Sequence, residues 1–212
     1  MSKQKQKQEE DPNHKHFASI PWCIPHLTGP NIRTQTPTWR IPSSTGEQSF
    51  FSETLNTTDT ITHMLEIYTD PSSSFSSSSP PTSSSSSSSL NTRSTDNKRI
   101  NEFKVLLTIG PGVQGHRNLC HGGFITAVLD ETVGLFIPIN LERGAIPKGM
   151  YMTAYLNTSF KRPVECPATV LVETRLVRVE GRKFFTEGRV FDEGGRVLAE
   201  CEALYVLRRE GL

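Results

Sequence analysis

The stretch that decides the fold is Leu119-Cys120-His121-Gly122-Gly123-Phe124-Ile125-Thr126-Ala127-Val128-Leu129-Asp130-Glu131-Thr132-Val133-Gly134. Its apolar residues recur at helical spacing. On a helical projection Phe124, Ile125, Val128, Leu129, Thr132 and Phe136 form one broad arc suited to lying on a sheet. Residues 123–136 therefore read as a helix that opens at His121 and Gly122. Asp130 falls outside the arc, and its neighbours on that opposite face, Gly123, Thr126, Ala127 and Gly134, are all small. They leave room for another molecule beside the carboxylate. Periodicity alone reads Asp130 as a solvated helix residue next to Glu131. The glycine pair shifts that reading, because glycines at a helix start let the backbone approach a ligand, and the first N–H groups of a helix carry a positive field. Such a start suits a developing oxyanion, and a carboxylate two turns further along can activate a water or attack a polarised carbonyl.

Outward from the helix the pattern turns to strands. Residues 103–109 read as one, followed by a Gly- and Pro-bearing loop over 110–120. Downstream come four more, 151–160, 169–179, 183–191 and 196–207, separated by turn signals at Arg162-Pro163, Glu180-Gly181 and Glu193-Gly194-Gly195. One strand, one helix and four consecutive strands make an α+β pattern, with the helix packed on an antiparallel sheet. Strict alternation over 151–160 puts Met152, Ala154, Leu156 and Phe160 on one side and Thr153, Tyr155 and Asn157 on the other, so Thr153 is expected to face away from the helix-covered core. In the last strand Val197, Ala199, Cys201, Ala203, Tyr205 and Leu207 form the apolar side, which makes Cys201 a small buried hydrophobe.

The first half of the chain holds the deficit in a composition that is only 34% hydrophobic. Residues 1–16 offer almost nothing to bury and read as a disordered tail. Residues 17–70 read as an irregular arm, with anchors at Phe17, Ile20, Trp22, Ile24, Leu27 and Trp39 interrupted by prolines. Within it Phe51, Leu55, Ile61, Met64, Leu65 and Tyr68 have a partly helical period, which predicts a helix over 49–68 against many threonines. Residues 71–100 are a serine-rich linker. The core is then expected from 101–208, able to fold without residues 1–97.

The net charge of +1, with no block of Lys and Arg, argues against nucleic acid as a partner. Four cysteines without C-x-x-C spacing read as reduced thiols of an intracellular protein. The acidic residues Glu9, Glu10 and Asp11 and the lack of an apolar N-terminal run argue against a signal peptide or presequence. No window reads as a membrane span of ~20 apolar residues. The cytoplasm is the expected compartment, with the mitochondrion as the alternative. Cys120 beside His121 is a poor nucleophile pair, since adjacent residues rarely align a sulfur and an imidazole. His14 with His16, and His116 with His121, lack a third ligand, so neither a metal nor a cofactor is expected.

His121-Gly122-Gly123 followed by Asp130 in Val-Leu-Asp-Glu-Thr-Val-Gly resembles the signature of hotdog thioesterases of the phenylacetate-degradation (PaaI-like) branch. Met152-Thr153-Ala154-Tyr155-Leu156-Asn157, Lys161-Arg162-Pro163 and Val179-Glu180-Gly181-Arg182-Lys183-Phe184-Phe185 resemble the eukaryotic thioesterase-superfamily members of that branch. The resemblance spans about 103–207; the N-terminal half resembles nothing recognised. It implies a hotdog fold, a long helix wrapped by a curved antiparallel sheet, here behind a largely irregular or disordered N-terminal extension. It further implies hydrolysis of an acyl-CoA thioester to free acid and CoA, by a homodimer or dimer of dimers whose sites form between subunits.

Carried over residue by residue, Asp130 matches the general base or nucleophile and Gly123 the backbone oxyanion donor. His121 shapes the loop, Gly122 is a site candidate beside it in the glycine pair, and Thr153 matches a residue that the partner subunit contributes, hydrogen-bonding the attacking water or the carboxylate. Tyr155 and Asn157 are candidates for the pocket or the dimer interface. Arg182, Lys183, Lys161 and Arg162 are candidates for the CoA phosphates, which need basic partners. The rival expectations are a non-catalytic acyl-CoA-binding or scaffolding protein and an acyl group carried on a carrier protein; Asp130 and Thr153 together favour the enzyme.

Overall fold

A computed structural model of the chain describes residues 11–71 and 98–209. In chain order its helices are α1 (Pro12–Ala18), α2 (Ile24–Leu27), α3 (Gly122–Val133) and α4 (Phe136–Glu142). Its strands are β1 (Ile32–Gln35), β2 (Ile61–Thr69), β3 (Glu102–Ile109), β4 (Gln114–His116), β5 (Leu119–Cys120), β6 (Tyr151–Phe160), β7 (Ala168–Glu180), β8 (Lys183–Phe191) and β9 (Val197–Leu207). Seven of the strands form one antiparallel sheet in the order β1-β2-β3-β7-β8-β9-β6, while β4 and β5 pair separately. The long helix against a curved antiparallel sheet is the hotdog fold.

The apolar arc of α3 is buried against the sheet as its periodicity requires, with Phe124, Ile125, Val128, Leu129 and Thr132 all inside. Gly188 on β8 lets the helix come this close. A Cβ there would lie 2.6 Å from the Val133 side chain and 3.1 Å from the sulfur of Cys201. By length and composition the run Gly122–Glu142 is apolar enough to cross a bilayer, which the sequence reading did not expect. Over half of its most apolar stretch is buried in the fold, so it serves as a core helix.

The N-terminal half departs most from expectation. Residues 12–18 are helical, and no helix spans 49–68: a single π-helical turn (Phe50–Thr54) is followed by the strand β2. This strand joins β3 along nearly its whole length, and β1 pairs with it in turn. The arm also supplies a second layer. On the sheet face away from α3, Phe17 and Cys23 pack with Leu65, Ile67, Leu106 and Leu171, while Met64 of β2 points into the core beneath the helix. Thus β2 is covered on both faces. The serine-rich linker falls largely on residues 72–97, which lie outside the described residues.

One inner-face position of β2 carries a charge. Glu66 is 2% exposed, with one carboxylate oxygen lacking a hydrogen-bond partner. Burial, assisted by the charge of Glu142 and opposed by a hydrogen bond from Gln35, pushes its carboxyl up to about 7. Because the folded state holds this proton more tightly than the unfolded chain, its contribution is fully present below the ordinary carboxyl range and is lost as pH rises through about 7. Glu66→Gln is therefore expected to stabilise the fold by up to about 3 kcal/mol at about pH 8.5 and by little at about pH 4. Thermal melts across that range check it; an equal shift at both ends would show that the effect is not protonation.

Candidate active site

Helix α3 opens with His121 as its N-cap. The His121 Nδ1 accepts the N–H of Gly123 at 2.9 Å, which leaves that nitrogen unprotonated and places the ring proton on Nε2. The N–H assigned to the oxyanion thus has a partner already, so the ring must turn aside before Gly123 can donate to a ligand. Seven residues, or ~10 Å of helix, separate Gly123 from Asp130.

At Asp130 two strands, β6 and β9, supply support. The Thr153 hydroxyl donates to Asp130 Oδ1 at 3.2 Å, and the phenol of Tyr205 donates to the Asp130 backbone carbonyl at 2.7 Å. The same phenol stands 3.5 Å from Oδ1. Among the described residues Oδ2 has no hydrogen bond and is left for a ligand. Gly134 makes room for the phenol, since a Cβ there would come within 3.0 Å of the Tyr205 hydroxyl. Burial first, and then the charge of Asp130, holds the Tyr205 phenol well above its ordinary range, so it stays a donor. The neighbouring Glu131 is pushed up to about 7, by burial and then by Asp130.

Thr153 therefore meets the Asp130 of its own chain, not that of a partner, and it faces the helix. The reason is a β-bulge. Thr153 pairs with Tyr205 and Tyr155 with Leu204, which leaves Ala154 as an extra residue. Before the bulge the odd positions Tyr151 and Thr153 face α3; after it the even positions Leu156 and Thr158 do, while Tyr155 and Asn157 turn to the opposite face. Strict alternation puts Thr153 with Tyr155 and Asn157. The bulge separates them, and neither Tyr155 nor Asn157 lines the space around Asp130.

That space is a cleft of ≈ 500 Å³. Asp130, Glu131, Tyr151, Thr153 and Tyr205 line one end, Leu135, Ile137, Pro138 and Leu141 continue the wall along the helix, and Trp39, Ile41, Glu47 and Gln48 close it from the arm. The basic candidates lie elsewhere. Lys161 pairs with Glu200 at 2.7 Å, Arg162 donates to the Val197 carbonyl, and Arg182 donates to the Leu207 carbonyl. Lys183 is exposed at the start of β8. The two pairs sit near opposite ends of the ten-residue β6, roughly 30 Å apart, so one phosphate group cannot meet both within a chain. Burial and the neighbouring Cys166 hold the Cys120 thiol far above its ordinary range, against its use as a nucleophile. Among the described residues no three His, Cys, Asp or Glu side chains gather as a metal-holding group.

Tyr205, Glu131 and Trp39 were not singled out as site residues from the sequence. Tyr205 had a signal, since the alternation of the last strand placed it on the inner face. Trp39 had none, because nothing local says which surface an irregular arm will cover.

Residues 117–199 match the family model described as the thioesterase superfamily. That match lies wholly within the C-terminal domain, on the helix α3 and the strands that follow it. Similar proteins include the Verlamelin biosynthesis protein B of Lecanicillium sp, 29% identical over 158 residues, covering 65% of this chain and 61% of that one. A match of that length must reach into the N-terminal half, where the sequence alone suggested no counterpart. The acyl-coenzyme A thioesterase THEM4 of Rattus norvegicus is 33% identical over 41% of this chain and 34% of its own length. The chain thus spans less than two thirds of either relative. A crystal structure described as a thioesterase superfamily protein is 28% identical, with a TM-score of 0.43 over 50% of this chain and 51% of that one.

Proposed function

We propose that this chain hydrolyses acyl-CoA thioesters, with Asp130 as the general base or nucleophile. The observation that carries the proposal is a carboxylate with one oxygen held by Thr153 and the other open, at the polar end of a cleft whose helical wall is apolar. The family of the domain and the printed activity of the rat relative support the same reading. In the base route, Oδ2 of Asp130 takes a proton from a water whose oxygen attacks the thioester carbonyl carbon. The carbon–sulfur bond then breaks, and the departing CoA sulfur takes up a proton. In the nucleophile route Oδ2 attacks that carbon directly, the carbon–sulfur bond breaks and CoA leaves as its thiol after taking up a proton, and water later hydrolyses the mixed anhydride to the free acid and the Asp130 carboxylate. Tyr205 acts as a positioning residue by holding the backbone at Asp130.

The oxyanion donor belongs to a second copy of the chain in this proposal. A carbonyl carbon within reach of Asp130 cannot have its oxygen on a Gly123 N–H ~10 Å along the same helix. The strand β6 is an edge of the sheet, and its Met152, Tyr155 and Phe160 are exposed. Its Phe160 end lies beside Gly122, and its Thr153 end beside Asp130. Antiparallel pairing of two β6 strands about a twofold axis brings the helix start of one chain towards the Asp130 of the other. Thiol release from a panel of acyl-CoAs and acyl-carrier-protein thioesters tests the activity. Release from CoA esters is expected; none from any acyl-CoA overturns the reading.

A further inference from the structure

We propose, building on the thioesterase reading, that the arm roofs the acyl groove and that Trp39 and Ile41 decide which acyl chains fit. The arm is pinned where it meets the cleft. The Arg40 guanidinium, 6% exposed, donates to the carbonyls of Phe51, Leu55 and Ile61 at 3.0, 2.9 and 2.8 Å and to the side-chain oxygen of Asn56. Four acceptors on one planar fork fix the backbone on both sides of residue 40. Trp39, on one side, is held edge-on against Phe51 with ring centroids 5.2 Å apart. Ile41, on the other, is 61% exposed on the wall of the cleft.

The opposite wall explains what the roof covers. From Asp130 the helical segment runs through Leu135, Ile137 and Pro138 to Leu141, eleven residues or ~16 Å, and these four side chains all line the cleft. On the helical wall the carboxylates stand at one end, Asp130 and Glu131, and the wall is apolar beyond them; the arm side adds Trp39 and Ile41 together with the polar Thr38, Ser43, Glu47 and Gln48. A polar end beside an apolar run is what a thioester needs when its carbonyl sits at Asp130 and its chain extends away. The volume of ≈ 500 Å³ is also of the size that encloses a small molecule, about 300–1,000 Å³. The roof comes from residues 38–48, outside the 117–199 segment that matches the family model.

The test uses the full chain and Ile41→Trp, which adds bulk to an exposed side chain and spares the buried core. Hydrolysis of straight-chain acyl-CoAs from acetyl to palmitoyl is compared between wild type and variant. The expected result is a kcat/KM at least about tenfold lower for the long chains and within about twofold for acetyl-CoA, the discrimination expected of a hydrophobic pocket altered by a few carbons. A second arm does not depend on turnover. In Trp22→Phe the only tryptophan is Trp39, and its emission is followed while non-hydrolysable thioether analogues of acyl-CoA are added. Emission should respond to long-chain analogues and not to CoA alone. An unchanged chain-length profile in Ile41→Trp, or emission indifferent to the acyl chain, overturns the roof. Absence of hydrolysis in the wild type overturns the thioesterase reading, while the emission still decides whether the groove takes an acyl chain.

Discussion

Replacing Asp130 by Asn is expected to lower kcat for acyl-CoA hydrolysis by at least ~10²-fold, with the melting temperature close to wild type. The substitution is nearly isosteric, and its side-chain oxygen can still accept the Thr153 hydroxyl that Asp130 Oδ1 accepts at 3.2 Å. What it removes is the basic and nucleophilic second oxygen. Subunit mixing then shows how each site is assembled. Asp130 and Thr153 meet within one chain, so a heterodimer of Asp130→Asn and Thr153→Ala chains contains no intact pair and should stay at the mean of the two homodimers. A heterodimer of Asp130→Asn and Gly123→Pro is different. If the oxyanion donor comes from the other chain, one of its two sites is intact and about half of the wild-type activity should return. Proline in the first helical turn removes the N–H at modest cost to the helix. Wild-type turnover by Asp130→Asn would end the catalytic assignment, and rescue in the first mixture but not the second would place Thr153 across the interface after all.

Deleting residues 1–97 is expected to yield an insoluble or aggregating product, the reverse of what composition suggested. The deletion removes β1 and β2 and leaves the eight residues of β3 as an open edge. It also uncovers the outer face there, Leu106 and Leu171, where Phe17 and Cys23 now cover them. A long apolar edge strand is a template for pairing with other chains. A milder version isolates the outer layer. Phe17 is fully buried, so Phe17→Ala should cost about 3–5 kcal/mol, seen as a lower denaturation midpoint at unchanged slope. A soluble 98–212 fragment that melts cooperatively near the wild-type temperature would show that the arm is dispensable.

That reversal marks the boundary of what could be read from residues alone. The strands β6, β8 and β9 and the helix α3 were legible because each buries mainly one side, which writes its period into the sequence, while β3 and β7, covered on both faces in part, were marked by apolar runs between turn signals. β2 was not. Sandwiched between the helix and the arm, it is apolar at Met64, Leu65 and Ile67 regardless of parity, and Ile61, Met64, Leu65 and Tyr68 happen to fall at helical spacing. The positions of Asp130 and Thr153 were marked by the resemblance, but the face of Thr153 was not. A single extra residue, Ala154, reverses every later side chain of β6, and nothing in Met152-Thr153-Ala154-Tyr155 announces a bulge. Tyr205 was placed inside by alternation, while its bond to the Asp130 carbonyl depends on the helix lying above it and on Gly134 leaving space.

The position of β9 in the sheet has a consequence for synthesis. It is the final strand of the domain in chain order, yet it is an interior one, bonded to β8 on one side and β6 on the other. While a ribosome is still making residues 197–207, β6 has no neighbour within its own sheet and β8 has an open side. Tyr205 is not yet in place under Asp130. Folding from the N-terminus can therefore assemble β2, β3, β7 and β8 as a partial sheet but cannot close it, and the nascent chain carries two unpaired edges until its last strand emerges. Stalled chains ending before residue 197 should be digested readily by protease and held by chaperones, whereas chains with residue 207 clear of the ribosome should become resistant; resistance already present in the shorter chains would refute this order.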